Sequence, residues 1–114
     1  MIAPVVELRG VSRVFPAGDV SVTALVDADL VVEPGDYVAV VGPSGSGKST
    51  MLNILGLLDR PTSGTYLLEG IDTSTLSEGQ RAGLRSRRIG FVFQSFHLLS
   101  HRTVLENVLL ATIY

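Results

Sequence analysis

The sequence predicts an α/β protein in which a mainly antiparallel β leader, residues 1–36, precedes a parallel-sheet core, residues 37–114. In the leader, apolar residues alternate with polar ones over two segments, as in strands with one exposed face. In the core, short continuously apolar runs alternate with helical patterns, as in strands that helices cover on both faces. The length of 114 residues fits one modest domain.

The leader should form an antiparallel pair of strands. Its alternating segments run from Val5 to Phe15 and from Val20 to Val32. The cluster Pro16-Ala17-Gly18-Asp19 separates them and Glu33-Pro34-Gly35-Asp36 follows the second, and such clusters are typical of turns. We therefore expect two half-exposed strands joined by a short turn.

The core should begin with a buried strand and a helix. Tyr37–Val41 is apolar throughout, as expected of a strand inside a parallel sheet. The following helix should run from about Lys48 to Leu58 and end before Pro61, because proline cannot continue a helix. A short strand is predicted at Thr65–Glu69.

The remainder of the core should contain two further helices around a second buried strand. The helices are predicted at Ser77–Arg88 and from a capping box at Thr103–Glu106 onward. The strand is predicted at Ile89–Phe93. The last helix should carry one apolar face, formed by Val104, Leu105, Val108 and Leu109.

The stretch Gly42-Pro43-Ser44-Gly45-Ser46-Gly47-Lys48-Ser49-Thr50 fits the pattern G-x-x-x-x-G-K-[ST] between a predicted strand and a predicted helix. Glycines let the backbone curl around phosphate oxygens and turn N–H groups inward, and the positive end of the helix points at the same place. A structural turn alone would not explain a lysine and a hydroxyl in this order. The candidate phosphate-binding residues are Gly42, Ser44, Gly45, Ser46, Gly47, Lys48, Ser49 and Thr50.

Two side chains of this stretch have distinct expected roles. Lys48 can reach the β- and γ-phosphates of a nucleoside triphosphate, which makes it a candidate catalytic residue. The Ser49 hydroxyl can ligate Mg²⁺, whose other ligands are commonly waters and phosphate oxygens. Thr50 should support the loop with its N–H and hydroxyl groups.

Composition excludes several classes of function. The net charge of −2 gives no general attraction to nucleic acid, and the sequence without cysteine has no thiol nucleophile. The N-terminus lacks the pattern of a signal peptide, and no apolar run approaches the roughly 20 residues of a membrane helix. We expect a cytoplasmic protein that contacts a membrane only through a partner.

Several motifs together resemble ATP-binding cassette (ABC) transporter ATPases, most closely the lipoprotein-release and macrolide-export branch. The resemblance covers nearly the whole chain and implies a P-loop NTPase (RecA-like) fold. It also implies ATP and Mg²⁺ as cofactors, a second ATPase subunit, a homodimer in particular, and a transmembrane permease as partners. The motifs are Ala24-Leu25, Glu33–Asp36, Gly42–Thr50, Gly56–Gly64, Ile89–Gln94 and Glu106-Asn107-Val108.

The resemblance implies roles for two residues outside the glycine-rich stretch. Phe15 falls where the family places an aromatic residue that stacks on adenine; its alternative is a core residue at a strand end. Gln94 falls at the family's Q-loop, where a side-chain amide contacts Mg²⁺ or the attacking water; its alternative is a surface residue. The residues after Gln94 are candidate contacts of the transmembrane partner or ordinary packing residues: Phe96, His97, Leu98 and Leu99.

Two features look like other motifs of the family but lie at the wrong place in the sequence. Leu76-Ser77-Glu78-Gly79-Gln80 looks like the signature that closes over ATP from an opposing subunit, but it precedes Gln94, whereas the family's signature follows the Q-loop. We predict a helix start instead, with Ser77 as the cap and Gln80 reaching back to its N–H. His101 is not preceded by the acidic strand that leads to the family's switch histidine, so we expect a surface loop residue.

The resemblance places the remaining hydrolytic residues beyond Tyr114. They are the acidic strand, the catalytic glutamate, the true signature and the switch histidine. The family's two buried strands are also separated in the sheet by strands that come later in sequence. We therefore expect the N-terminal half of a nucleotide-binding domain, with an incomplete sheet, marginal stability and no ATP turnover by the chain alone.

Two other functions fit the glycine-rich stretch. Guanylate-kinase-like nucleotide kinases use a similar loop, but they open almost directly with it, whereas here a long β leader precedes it. A non-catalytic ATP-binding module would bind ATP without hydrolysing it.

Overall fold

A computed structural model of the chain describes residues 3–92 and 101–109. The chain divides into two compact units, one that ends at Leu76 and one that begins at Ser77. The first unit contains β1 (Val6–Ala17), β2 (Val20–Val32), α1 (Lys48–Leu55), β3 (Ser63–Leu68), β4 (Ile71–Asp72) and a 3-10 turn (Thr73–Thr75). The second unit contains α2 (Glu78–Arg88) and α3 (Val104–Leu109).

The described strands form one antiparallel sheet with the order β2-β1-β3-β4. The predicted pairing of the two leader segments is confirmed, with Val6 opposite Val32 and Ala17 opposite Val20 across a turn at Gly18-Asp19. The alternation did not reveal that β1 also pairs with β3 on its other edge. β1 is therefore the central strand on which the first unit is built.

Irregular pairing along β1 lets it bend between its two neighbours. Its register shifts between Leu8 and Val11, where Gly10 takes a φ of 57°. The freed Gly10 N–H donates to the Asp29 carboxylate at 2.7 Å. A Cβ at Gly64 of β3 would lie 2.3 Å from the Gly10 carbonyl oxygen, so only glycine lets the two strands approach this closely.

The core of the first unit lies where the sheet meets α1. Tyr66 of β3 is buried, and its hydroxyl donates to the Leu55 carbonyl at the end of α1 over 2.7 Å. Thr73 donates its hydroxyl to the Tyr66 carbonyl at 3.0 Å. The other buried apolar side chains of this unit are Leu8, Val11, Leu25, Ile54, Leu57 and Leu68.

Helix α1 ends at Leu55, earlier than the predicted Leu58. Gly56 follows as the C-cap and donates its N–H to the Leu52 carbonyl at 2.9 Å. Leu57 then takes a φ of 60°, which ends the helix and buries its side chain. Burial of the leucine side chain offsets the cost of a left-handed backbone for a residue with a Cβ.

The two helices of the second unit begin at capping boxes. Ser77 Oγ accepts from the Gln80 N–H at 3.2 Å and Gln80 Oε1 accepts from the Ser77 N–H at 2.9 Å, which confirms the predicted helix start there. Thr103 and Glu106 make the same reciprocal pair at 3.1 Å in each direction. The predicted apolar face of α3 is exposed.

The structure contradicts the predicted strand at Tyr37–Val41. These residues pair with none of the described strands, and Tyr37 and Val41 are 99% and 85% exposed. Residues 89–92 of the other predicted buried strand likewise do not form a strand, while Phe93 lies outside the described residues. A strand of a parallel sheet needs a neighbouring strand with which to exchange hydrogen bonds, and no described strand pairs with these segments. The incomplete parallel sheet that the sequence predicts explains both differences.

Candidate functional site

The glycine-rich stretch forms a tight loop directly before α1. The Ser46 N–H donates to the Pro43 carbonyl at 3.2 Å, which closes a turn over Ser44 and Gly45. Gly45 and Gly47 take φ angles of 81° and 97°, in the left-handed region that glycine adopts without strain. The loop therefore curls back on itself and delivers the chain into α1 at Lys48.

The N-terminus of α1 is open to an anion. Its cap residue is Gly47, which has no side chain to accept from the first N–H groups, and the first turn contains no acidic residue. The loop residues Gly42, Ser44, Gly45 and Ser46 are exposed, and no atom lies within 4 Å of a Cβ placed on Gly45. Unpaired N–H groups and the helix dipole at this end favour a negative charge.

Lys48 lies across the loop that precedes it. Its Nζ donates a hydrogen bond to the Gly42 carbonyl oxygen, so the ammonium group and the helix N-terminus share the mouth of the loop. Ser49 is exposed in the same turn, whereas Thr50 is half-buried. This arrangement can hold a phosphate group with backbone N–H donors, one cation and one hydroxyl.

The loop packs directly on strand β2. A Cβ at Gly47 would lie 2.5 Å from the Ala24 carbonyl oxygen and 3.5 Å from Leu25 Cδ1. Glycine is therefore required at Gly47 for two reasons, the φ of 97° and the close approach to the Ala24 carbonyl. The contact fixes the start of α1 against the leader sheet.

Phe15 lies on β1 beside the same part of β2. The register pairs Arg13 with Leu25 and Val14 with Thr23, so Phe15 follows the positions that flank Ala24. Phe15 is 37% exposed. The structure thus places the predicted aromatic residue on the strand next to the one that supports the phosphate loop.

Arg13, to which the sequence assigned no role, lies against Phe15 and is linked to Asp59 and Thr62. The Arg13 guanidinium carbon lies 4.1 Å from the centroid of the Phe15 ring. Arg13 pairs with Asp59 at 2.7 Å, and the Thr62 hydroxyl accepts from the Val14 N–H at 2.9 Å. Because side chains two residues apart lie on the same face of a strand, the sequence could have predicted that Arg13 and Phe15 are neighbours. The link to the turn after α1 was visible only in three dimensions.

The structure describes only some of the other predicted residues. Gln94 and the candidate partner contacts Phe96, His97, Leu98 and Leu99 lie outside the described residues. His101 is exposed, as predicted for a loop residue. Within residues 3–92 and 101–109, no group of three or more His, Cys, Asp or Glu side chains could hold a metal ion. The exposed Ser49 hydroxyl, beside the phosphate-binding loop, is a suitable ligand for Mg²⁺, since this ion commonly takes its other ligands from phosphate and water.

The carboxylates whose pKa values are lowered take part in helix caps. The Ser74 backbone N–H and the Ser74 hydroxyl lower the pKa of Asp72. The Thr103 backbone N–H, then the Arg102 guanidinium and the Thr103 hydroxyl, lower the pKa of Glu106. Glu106 is exposed and Asp72 is half-buried, and both are already engaged with local donors, so they are structural carboxylates.

The loop, the open helix N-terminus and Lys48 define a P-loop phosphate-binding protein. The family model described as ABC transporter matches residues 25–113, and the chain belongs to that family. The resemblance drawn from the motifs is confirmed. Family membership also decides against the guanylate-kinase-like alternative.

Similar proteins refine this family assignment. The chain is 51% identical over 114 residues to the macrolide export ATP-binding/permease protein MacB of Agrobacterium fabrum and 52% identical over 108 residues to MacB of Salmonella choleraesuis. These alignments cover 100% and 95% of the chain. They cover 18% and 17% of the relatives, so the chain spans less than a fifth of their length.

A solved structure confirms the fold class. The dimeric post-hydrolysis state of the ATP-binding cassette MJ0796, bound to ADP and Pi, matches with a TM-score of 0.86 and 43% identity. The match covers 93% of this chain and 46% of that one. The chain therefore has the fold of part of a P-loop NTPase cassette, with its sheet incomplete. No described helix is long and apolar enough to cross a membrane.

Proposed function

We propose that this chain is the ATP-binding portion of an ABC transporter ATPase. The observation that carries the proposal is the uncapped N-terminus of α1, preceded by an exposed glycine loop and crossed by Lys48. A triphosphate would accept from the loop N–H groups and from Lys48, and the Ser49 hydroxyl would ligate Mg²⁺. Gln94 would be a second contact for the metal or the attacking water.

Phe15 would contact the nucleobase. Phe15 lies on β1 opposite Val22, directly after the positions that flank Ala24, the residue against which Gly47 packs. An exposed aromatic face beside a phosphate cradle suits the stacking of a purine. The phosphate and base subsites would then belong to one surface of the first unit.

In the complete protein, ATP hydrolysis would drive a transmembrane partner of the lipoprotein-release or macrolide- and peptide-export type. The support is the identity to MacB proteins, whose name joins ATP binding to a permease. A second copy would close over the nucleotide, in keeping with the dimeric cassette structures that match this chain. The protein would then lie on the cytoplasmic face of the membrane through its partner. Residues 37–114 would form the part of the domain from the phosphate loop to the Q-loop and the helix after it.

The 114-residue chain alone would not turn over ATP. The support is the segment Tyr37–Val41, which leads into the phosphate loop without pairing to any described strand. A phosphate cradle on an unsupported segment can bind a triphosphate but cannot hold it in a fixed geometry for in-line attack. Magnesium-dependent turnover by the purified chain, lost in Lys48→Ala, would contradict this proposal.

Lys48 is the only lysine in the sequence, which gives a direct test of the binding site. An amine-acylating reagent should modify Lys48 more slowly when Mg-ATP is present, while the α-amino group of Met1 should react at an unchanged rate. Mass spectrometry of the peptides measures both rates. Equal acylation of Lys48 with and without Mg-ATP would rule out the proposed contact.

Equilibrium binding provides the matched mutational test. Lys48→Ala should weaken Mg-ATP binding at least about 30-fold, because it removes a charged hydrogen-bond donor to the phosphates. Arg102→Gln removes one exposed positive charge far along the chain and should leave the affinity unchanged. ATP binding without hydrolysis by a complete cassette would favour the non-catalytic module.

A further inference from the structure

Arg13 is held in place by the turn after α1 and by the next residue of its own strand. Its Nε donates to Asp59 Oδ2 at 2.7 Å, and the two side chains are 23% and 27% exposed. Its Nη1 donates to the Val14 carbonyl at 3.2 Å and lies 3.4 Å from Thr62 Oγ1. An ion pair that is partly shielded from water fixes a side chain better than a fully exposed pair does.

The turn after α1 is itself fastened to β1 on both sides of Arg13. The Thr62 N–H donates to the Ser12 carbonyl at 2.8 Å, and the Val14 N–H donates to the Thr62 hydroxyl at 2.9 Å. Asp59 Oδ1 accepts from the Arg60 N–H at 2.8 Å, which orients the carboxylate that Arg13 contacts. The guanidinium group is therefore placed by the backbone around it and does not depend on Phe15 for its position.

The guanidinium covers one face of the Phe15 ring. The distance of 4.1 Å from the guanidinium carbon to the ring centroid is a direct cation–π contact. Phe15 nevertheless keeps 37% of its surface exposed, so part of the ring stays accessible to a ligand. A ring that is fixed before binding loses less conformational freedom when a second flat group stacks on it.

We propose that Arg13, anchored by Asp59 and Thr62, is a positioning residue that fixes Phe15 as a one-sided stacking platform for the nucleobase. This inference rests on the proposed function, in which Phe15 contacts the base. It adds that the Arg13–Asp59 ion pair, between β1 and the turn after α1, affects binding of the base and does not affect binding of the triphosphate. Arg13 itself touches neither part of the nucleotide.

The test compares Mg-ATP with Mg-tripolyphosphate, which has the phosphates and no base, as ligands of the 114-residue chain. Arg13→Gln should weaken Mg-ATP binding about 3- to 10-fold and leave Mg-tripolyphosphate binding unchanged. Asp59→Asn should shift the Mg-ATP affinity in the same direction by a smaller factor. Arg9→Gln is the matched control, because Arg9 lies on the same strand, is exposed and pairs with Glu7.

A double-mutant cycle separates positioning from a general effect. In a Phe15→Leu background, Arg13→Gln should cause no further loss of Mg-ATP affinity, because the platform is already absent. Equal losses for both ligands, or a loss that persists in Phe15→Leu, would overturn the proposal for Arg13. If Phe15→Leu by itself leaves Mg-ATP binding unchanged, or the wild type binds neither ligand, the result contradicts the proposed function. The proposed role of Arg13 is then contradicted as well.

A fluorescence measurement gives an independent readout. The chain has no tryptophan, so Phe15→Trp introduces a single tryptophan at the platform, which can be excited selectively over the three tyrosines. Mg-ATP should quench its emission by stacking, and Mg-tripolyphosphate should not. Adding Arg13→Gln should lower the fluorescence anisotropy of Trp in the free protein and reduce the quench. An unchanged anisotropy and quench would show that Arg13 does not position the ring.

Discussion

Tyr66 joins the sheet to the helix that follows the phosphate loop, since its hydroxyl donates to the Leu55 carbonyl at 2.7 Å. The tyrosine is 2% exposed, so the hydrogen bond is made within the core. Tyr66→Phe would keep the ring and leave the carbonyl without this donor. We expect a loss of about 1–2 kcal/mol in the free energy of unfolding, measured by urea denaturation. A change of less than about 0.3 kcal/mol would mean that the Leu55 carbonyl is satisfied in another way.

Gly47 and Gly45 offer a matched pair of substitutions in the phosphate loop. Both have positive φ, but a Cβ at Gly47 meets the Ala24 carbonyl at 2.5 Å, whereas a Cβ at Gly45 meets nothing within 4 Å. Gly45→Ala should cost about 1–2 kcal/mol through backbone strain alone. Gly47→Ala should cost more, because the loop must also move off β2. Thermal unfolding of both variants checks this order, and equal costs would contradict it.

Glu106 should titrate below the ordinary range of a glutamate. Hydrogen bonds from the Thr103 N–H and Arg102 lower the pKa of Glu106 in the folded chain. The capping contribution to stability is therefore fully present above the unfolded pKa and is lost as the pH falls through the lowered, folded pKa. Arg102→Gln should raise the pKa of Glu106 toward its ordinary value, and an NMR titration of the carboxyl carbon measures the shift. An unaltered titration midpoint would remove Arg102 as a cause.

The segment before the phosphate loop should tolerate polar substitution. Tyr37 is 99% exposed, so Tyr37→Ser should change the free energy of unfolding by less than about 0.5 kcal/mol. Leu8→Ala, in the buried core of β1, should instead cost about 2–5 kcal/mol. Light scattering should also show less self-association of the Tyr37→Ser chain, because an exposed apolar surface is reduced. A large loss of stability in Tyr37→Ser would indicate that the segment is packed.

Local patterns predicted the features that local chemistry determines. The β1–β2 hairpin follows from alternation and a turn cluster, and the capping boxes at Ser77 and Thr103 follow from side chains three residues apart. The glycine loop also lies where its motif predicts, directly before α1. These features require no knowledge of distant residues.

Other features depend on residues that are far apart in the sequence. An apolar run such as Tyr37–Val41 indicates a strand only if neighbouring strands are present to pair with it, and composition does not supply that information. The β1–β3 pairing and the Arg13–Asp59 contact likewise join segments that no local pattern connects. The end of α1 was misplaced because Leu57 adopts a left-handed backbone in order to reach the core.

The close approach of Gly64 to Gly10 bears on the order of events during folding. The hairpin of β1 and β2 can form locally, but the β1–β3 pairing must close a long loop that contains the phosphate-binding stretch and α1. Such non-local closure is slow, because its entropic cost precedes any gain from contacts. The phosphate-binding loop should consequently reach its native structure late in folding, after Gly10 and Gly64 have allowed β1 and β3 to pair. A substitution at Gly64, outside the phosphate loop, should delay the appearance of nucleotide binding during refolding.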